Sequence, residues 1–153
     1  MMKTITAQLQ KIISDYSAMM NVISQEEFVD KPYPNKWSKI EILGHLIDSA
    51  QNNIRRFIVA QYETSPFIIY DQDKWVAIND YQHSSVRHLI ELWSLLNKQI
   101  CNILINTPHE ALTRTCETNN RNSHTIEWLA EDYIKHLLHH LHQLLQMEAI
   151  DYP

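Results

Sequence analysis

Four stretches of the chain repeat apolar side chains every three or four residues over about twenty positions each, the spacing of amphipathic helices. They cover residues 5–23, 40–57, 86–104 and 126–144. The whole chain contains 1 Gly and 5 Pro, so it offers few of the tight turns that a barrel or sandwich needs. The sequence therefore predicts an all-α fold, a four-helix bundle that forms one domain over residues 1–153.

Serine and threonine residues mark where three of these helices begin, because their side-chain oxygens accept hydrogen bonds from free backbone N–H groups. The candidate N-caps are Ser38, Ser84 or Ser85, and Thr125. Glu41 stands three residues after Ser38 and completes a capping box. We therefore expect the second long helix over about residues 39–62 and the fourth over about residues 126–147.

The connections between the helices differ in length and composition. Two prolines exclude a helix around them, so residues 25–37 are predicted as a loop. Residues 63–82 are rich in aromatic side chains and are predicted to cross over and partly cover one end of the bundle. Residues 107–110 repeat the capping-box pattern ahead of a single helical turn. Residues 113–123 are polar and predict a loop that can hold a short hairpin.

Charge and cysteine spacing exclude several classes of function. The net charge is −5 and the basic residues are scattered, so neither nucleic acid nor an anionic membrane is an expected partner. No apolar run reaches membrane-spanning length and no signal peptide is recognisable, so we expect a cytoplasmic protein. Cys101 and Cys116 form no CxxC motif, which indicates two thiols rather than a zinc ribbon or a disulfide.

Histidines are concentrated in the fourth long helix, at His136, His139, His140 and His142. His136 and His140 are four residues apart, so both imidazoles lie on one helical face and can reach one metal ion. Projection at about 100° per residue places this pair beside the apolar face and the other two histidines on the exposed side. The pair alone is a weak signal, and the glutamate of an HExxH metalloprotease motif is absent.

The second long helix has an apolar face and a polar face. The apolar stripe consists of Ile40, Leu43, Ile47, Ala50, Ile54 and Phe57. The polar stripe consists of Ser38, Glu41, His45, Asp48, Ser49, Asn52 and Arg56. The periodicity leaves two interpretations open, since the polar stripe either faces solvent or lines a cavity. Gly44, the only glycine, lies mid-helix, where a small residue permits close approach of a neighbouring helix or ligand.

Two motifs in these helices resemble those of a known family. The first runs from Trp37 to Ser49 and reads Trp-Ser, a Glu three residues after the Ser, and then His-Leu-x-Asp. The second runs from Trp128 to Gln143 and reads Trp-Leu-x-x-Asp-Tyr-x-x-His-x-x-His-His-x-x-Gln. Both motifs, in this order and at this separation, resemble the DinB-like superfamily, and the resemblance extends over essentially the whole chain.

The resemblance implies a DinB-like four-helix bundle with long crossover connections and one divalent metal ion held by His45, His136 and His140. It also favours the cavity interpretation of the polar stripe. Three protein ligands leave a coordination position open for water or substrate, as in catalytic metal sites. Zinc and nickel both suit three imidazoles, and the sequence does not separate them.

Three further residues are candidates for a catalytic or supporting role around such a metal. Asp48 stands one turn after the histidine of the first motif and can orient an imidazole or a bound water, and Asn52 lies one turn further on. Asp132 stands one turn before His136 and can accept the free N–H of its ring. Arg56 can meet an anionic group of a substrate. A solvated side chain is the alternative for both Asp48 and Arg56.

The resemblance implies two functions of different classes. The first is a metal-dependent enzyme of the thiol S-transferase or hydrolase type, which acts on a small molecule and takes a low-molecular-weight thiol as a partner. In that chemistry the metal lowers the pKa of the thiol. The second is a non-catalytic metal-binding or stress-associated protein that dimerises through the apolar stripe of the second long helix. No thiol-cofactor motif decides between them, and a homodimer is expected.

Overall fold

Six α-helices and one short hairpin form the part of the chain that the computed structural model describes, residues 1–118 and 122–153. The helices are α1 (Met2–Asn21), α2 (Gln25–Val29), α3 (Lys39–Val59), α4 (Gln72–Asn79), α5 (Val86–Ile105) and α6 (Ile126–Leu145). The antiparallel hairpin consists of β1 (Thr115–Glu117) and β2 (Ser123–Thr125). The four helices predicted from apolar periodicity are α1, α3, α5 and α6, each 20 or 21 residues long.

The predicted helix caps are confirmed. Ser38 accepts the backbone N–H of Glu41, whose carboxylate accepts the backbone N–H of Ser38, so the capping box is complete. Ser85 caps α5 and Thr125 caps α6. Both α3 and α6 end slightly earlier than predicted, by an amount ordinary for fraying helix ends.

The four long helices pack as a ring around the apolar core. α5 contacts both α1 and α3, and α6 contacts the same two helices from the other side. α1 and α3 are therefore diagonal partners although they are consecutive among the long helices, and so are α5 and α6. The fold is the four-helix bundle that the sequence predicts.

The connection over residues 63–82 returns the chain along α3. Its far end lies beside the beginning of that helix, where Ser38 Oγ donates to Gln82 Oε1 at 2.7 Å. α3 and α5 therefore start at the same end of the bundle and run parallel, which confirms the predicted crossover. It lies along the side of α3 rather than over one end of the bundle as predicted, and it contains α4 and a 3₁₀ turn at Tyr81–His83. α4 was not predicted because it buries a single side chain, Val76, and so has no apolar stripe.

Two local predictions are wrong in detail. Residues 25–37 are not all loop, because Ser24 caps the short α2 ahead of the prolines and Phe28 is buried. The single turn after Pro108 forms as a 3₁₀ turn, but it has no capping box. The hydroxyl of Thr107 instead donates to the carbonyl of Ile103, at the end of α5.

The predicted hairpin within residues 113–123 is present as β1 and β2. Asn119, Asn120 and Arg121 lie outside the described residues. The two cysteines are free and buried, as predicted, and burial raises the pKa of Cys101 to about 11. Within residues 1–118 and 122–153, every helix is too short or too polar to cross a bilayer.

Both faces of α3 are buried, which corrects one prediction and supports another. The apolar stripe lies in the core of its own chain, with Ile54 alone partly exposed. A dimer interface on that stripe is therefore wrong. The polar stripe is also buried apart from the half-buried Glu41, and His45 and Asp48 are 0% exposed. The interpretation that it faces solvent is therefore wrong, and two of its residues, Ser49 and Arg56, line a cleft.

Candidate metal centre

Neighbouring helices α3 and α6 bring His45, His136 and His140 around one point. One ring nitrogen of each lies within 4.8 Å of the other two, and the Nε2 atoms of His45 and His136 are 3.1 Å apart. An ion bound at about 2.0–2.1 Å from tetrahedral ligand nitrogens separates those nitrogens by about 3.3 Å. The spacing of the three rings therefore fits a single metal ion.

The local environment leaves all three rings with lone pairs available at neutral pH. Burial, followed by the neighbouring His140, lowers the pKa of His45 to about 3. Burial and the adjacent imidazoles hold the pKa of His136 well below 6.5, and burial also lowers that of His140. Neutral imidazole is the form that binds a metal, so protons compete little for this site.

Hydrogen-bond partners orient two of the three rings. Ser49 Oγ lies 3.5 Å from His136 Nδ1, and Gln143 Oε1 lies 3.0 Å from His140 Nδ1. A partner at Nδ1 directs Nε2 towards a shared ligand. Neither Ser49 nor Gln143 was assigned a role from the sequence, although each stands one helical turn from a histidine of the cluster. His45 Nδ1 is buried and has no partner among the described residues.

Trp37 closes one side of the cluster. Its ring packs on His45 with centroids 5.0 Å apart and an interplanar angle of 34°. The capping box immediately after Trp37 fixes the angle at which the chain enters α3, and so holds the indole in place. The position of this aromatic ring keeps bulk water away from the His45 side of the cluster.

The structure places Asp48 and Asn52 next to each other but does not bring either into a hydrogen bond with the three histidines. Asp48 Oδ1 accepts from the Tyr81 hydroxyl at 2.5 Å and from the Asn79 amide at 3.3 Å. The side-chain amide of Asn52 donates to the backbone carbonyl of Asp48. Asp48 therefore ties α3 to the crossover, and its predicted role at the metal remains a prediction.

Burial raises the pKa of Asp48 to about 6, against an opposing effect of the Tyr81 hydrogen bond. Its second oxygen, Oδ2, is buried without a partner in the described structure. Burial removes water from the carboxyl group, and this costs the ionised form more free energy than the protonated form. The folded chain therefore favours the protonated form more strongly than the unfolded chain, in which the pKa is near 3.8.

Asp48→Asn tests this protonation in metal-free protein. Between about pH 4 and pH 6 the free energy of unfolding of the wild type should fall relative to that of the variant, by about 3 kcal/mol in all. The free energy of unfolding falls because protonated Asp48 stabilises the folded state fully below the unfolded-state pKa. This stabilisation is lost as the pH rises through the folded-state pKa. Asparagine does not ionise and still accepts from Tyr81. Urea titrations at several pH values measure this difference, and a pH-independent difference contradicts the assignment.

A cleft of about 400 Å³ opens beside His136. Besides His136, the polar side chains that line it include Ser49, Asn53, Arg56, Tyr70, Gln72, Thr118, Asp132, Tyr133 and Tyr152. A larger depression of about 580 Å³ lies between the segment around Trp37 and the end of α6, and none of the three clustered histidines lines it. Of these two cavities, the smaller cleft is the one that a histidine of the cluster lines.

Residues 146–153 fold back along α6, and two histidines hold them there. His139 Nδ1 lies 2.7 Å from the carbonyl oxygen of Ile150, and His142 Nδ1 lies 2.8 Å from that of Glu148. Both histidines are outside the metal-competent cluster, as predicted, but they are half-buried rather than fully exposed. Helical projection missed this because the contacts come from beyond the helix.

Tyr152 reaches the mouth of the cleft at the end of this segment. Its hydroxyl donates to Asp132 Oδ2 at 2.9 Å, and its ring centroid lies 5.5 Å from that of His136. Asp132 lines the cleft, but its hydrogen-bond partner is a tyrosine rather than the imidazole that was predicted. No periodicity in the sequence indicates where this segment runs, so the sequence could not reveal Tyr152.

The sequence carries the family assignment over most of its length. Residues 8–144 match the family model described as the DinB superfamily. The chain belongs to the DinB superfamily. Over 113 residues, 73% of this chain, it is 26% identical to a protein of Halalkalibacterium halodurans named "Putative metal-dependent hydrolase". The match covers 66% of that relative, so this chain spans about two thirds of its length.

Two solved structures have the same fold as this chain. One is YfiT from Bacillus subtilis, described as "a probable metal-dependent hydrolase with an unusual four-helix bundle topology". It matches with a TM-score of 0.86 at 18% identity, over 95% of this chain and 84% of its own. The mycothiol-dependent maleylpyruvate isomerase matches with a TM-score of 0.74 at 11% identity, over 98% of this chain and 62% of its own. At these identities the likeness establishes the fold alone.

Proposed function

We propose that this protein is a metal-dependent enzyme that holds one divalent cation, zinc or nickel, on His45, His136 and His140. The observation that carries the proposal is the convergence of three neutral imidazole nitrogens within 4.8 Å of one another beside an open cleft. An all-nitrogen donor set suits zinc and nickel better than magnesium or calcium. A cation held by three protein ligands polarises a bound water or thiol and lowers its pKa.

The reaction that we propose is of the hydrolase or thiol S-transferase type, on a small molecule. The names of the Halalkalibacterium relative and of YfiT support a hydrolase, and that of the isomerase supports a low-molecular-weight thiol as partner. In this chain Ser49 and Gln143 orient two of the rings, and Trp37 shields the third. A cleft of about 400 Å³ admits a small molecule rather than a polymer chain.

A metal-restoration experiment tests this function. We expect purified protein to carry about one divalent ion per chain, and chelator-treated protein to regain turnover when zinc or nickel is restored. Elemental analysis measures the first, and panels of simple esters, amides, and thiols paired with electrophiles measure the second. Bound metal without turnover on any panel would favour the non-catalytic alternative. Protein that takes up no metal would contradict the site itself.

The cytoplasmic location and the homodimer stay predictions. The buried apolar stripe of α3 removes the surface on which the dimer was first predicted. Size-exclusion chromatography at several protein concentrations measures the oligomeric state directly.

A further inference from the structure

We propose that Arg56 binds an anionic oxyacid group, a carboxylate in particular, of the molecule that occupies the cleft beside the three histidines. This inference rests on the proposed function, because it assigns a substrate class to the same site.

Arg56 is a buried cation without an anionic partner. Its residue is 9% exposed, and no carboxylate lies within 4.0 Å of its guanidinium among residues 1–118 and 122–153. Burial lowers its pKa, which shows that its environment disfavours the charge. A charged group removed from water is normally paired, so an unpaired one calls for an explanation.

The contacts of Arg56 explain its position but not its charge. Its Nε and Nη2 atoms both donate to the carbonyl oxygen of Ile68, at 3.1 Å and 2.9 Å. A guanidinium carries five N–H donors, so three have no partner in the described structure. A neutral side chain with two donors would hold Ile68 as well, so the remaining donors are available to a ligand.

The residue that carries those donors lines the cleft beside the histidine cluster. Arg56 and His136 line the same cleft, and the charge of Arg56 contributes to lowering the pKa of His136. The ring of Tyr70 lies 6.0 Å from the guanidinium carbon and forms one wall. Arg56 and His45 are eleven residues apart on α3, about 16 Å along its axis. An anionic group at Arg56 therefore lies several bonds from an atom bound at the histidines.

Among the described residues, the one side-chain carboxylate that lines the cleft is Asp132, which raises the pKa of Arg56 but forms no ion pair with it. It lies beyond ion-pair distance, and its Oδ2 accepts the Tyr152 hydroxyl. The histidines contribute no negative charge, and a bound divalent cation makes the cleft more positive. The planar fork of a guanidinium matches the two oxygens of a carboxylate, which is why a carboxylate is the expected group.

The test uses cobalt-substituted protein, whose visible spectrum reports thiolate binding. The ligands are ω-mercaptocarboxylates of increasing chain length, each compared with its methyl ester. At one chain length the acid should bind at least about tenfold more tightly than the ester to wild type and to the exposed control Arg55→Gln. In Arg56→Gln the ratio of the ester's dissociation constant to that of the acid should fall to near one. The same ratio in wild type and Arg56→Gln overturns the inference, and ω-mercaptosulfonates distinguish a carboxylate from other oxyanions.

A metal-free experiment separates this inference from the proposed function and needs no variant. Titration of apoprotein with propionate should shift the Nε–H resonance of Arg56 saturably, whereas propionamide should not. Such a shift together with no thiol binding to cobalt supports the anion site and contradicts the metal function. If, at every chain length, the acid and its methyl ester bind the cobalt protein equally tightly, the result supports the metal site and contradicts the role of Arg56. Absence of a propionate shift also contradicts that role.

Discussion

Replacement of His45 or His136 by alanine is expected to reduce bound metal from about one ion per chain to nearly none after gel filtration. Each histidine supplies one of three ligand nitrogens that lie within 4.8 Å of each other. Zinc sites in small domains bind with about 10–16 kcal/mol, so loss of one ligand costs about 3 kcal/mol or more, at least roughly a hundredfold in affinity. Elemental analysis and a competition titration with a chromophoric chelator measure the loss.

Two matched controls make this result specific to the cluster. His88→Ala removes an exposed histidine of α5 and should leave metal content unchanged. His139→Ala removes a histidine beside the cluster that contacts the carbonyl of Ile150, and it too should retain the metal. If His139→Ala loses the ion while His45→Ala keeps it, the ligand assignment is wrong.

Gly44→Ala is expected to destabilise the protein by about 2–3 kcal/mol, although alanine favours a helix by about 1 kcal/mol over glycine. A Cβ atom at this position would overlap the ring of Tyr81, which packs directly on the helix backbone. To make room, Tyr81 must move and lose its hydrogen bond to the buried Asp48. Urea denaturation monitored by circular dichroism measures the change in the free energy of unfolding.

A double-mutant cycle identifies the cause of that loss. In a Tyr81→Ala background the ring is absent, so Gly44→Ala should be neutral or stabilising. Gln51→Ala, at an exposed position of the same helix, controls for the propensity effect and should change stability little. An equal loss in both backgrounds would show that overlap with Tyr81 is not the reason for the glycine.

Gly44 is closely approached, as predicted, but by a side chain of the crossover rather than by the neighbouring helix or ligand that was expected. The neighbour is the ring of Tyr81, in a 3₁₀ turn inside the crossover. Neither that turn nor α4 has an apolar stripe, because each covers one side of α3 and buries few side chains. Their positions depend on contacts with residues far away in the chain, so local periodicity does not predict them.

The candidate site was predicted in part. The histidines named from the two motifs do converge, since one helical turn separates His136 from His140 and α3 packs on α6. Whether they bind a metal remains a proposal. Asp48 instead contacts Tyr81, and Asp132 contacts Tyr152. A carboxylate can point to several neighbours from one helical position, and which one it meets depends on elements outside its own helix.

Local sequence patterns were enough to predict the four long helices and their caps, because apolar spacing and side-chain caps act within a few residues. They also indicated that His136 and His140 share a face, since four residues make about one turn. The burial of both stripes of α3, and the lack of an anionic partner for Arg56 among the described residues, became evident in the folded structure. Burial and pairing depend on distant segments coming together, and no local pattern in the chain records that.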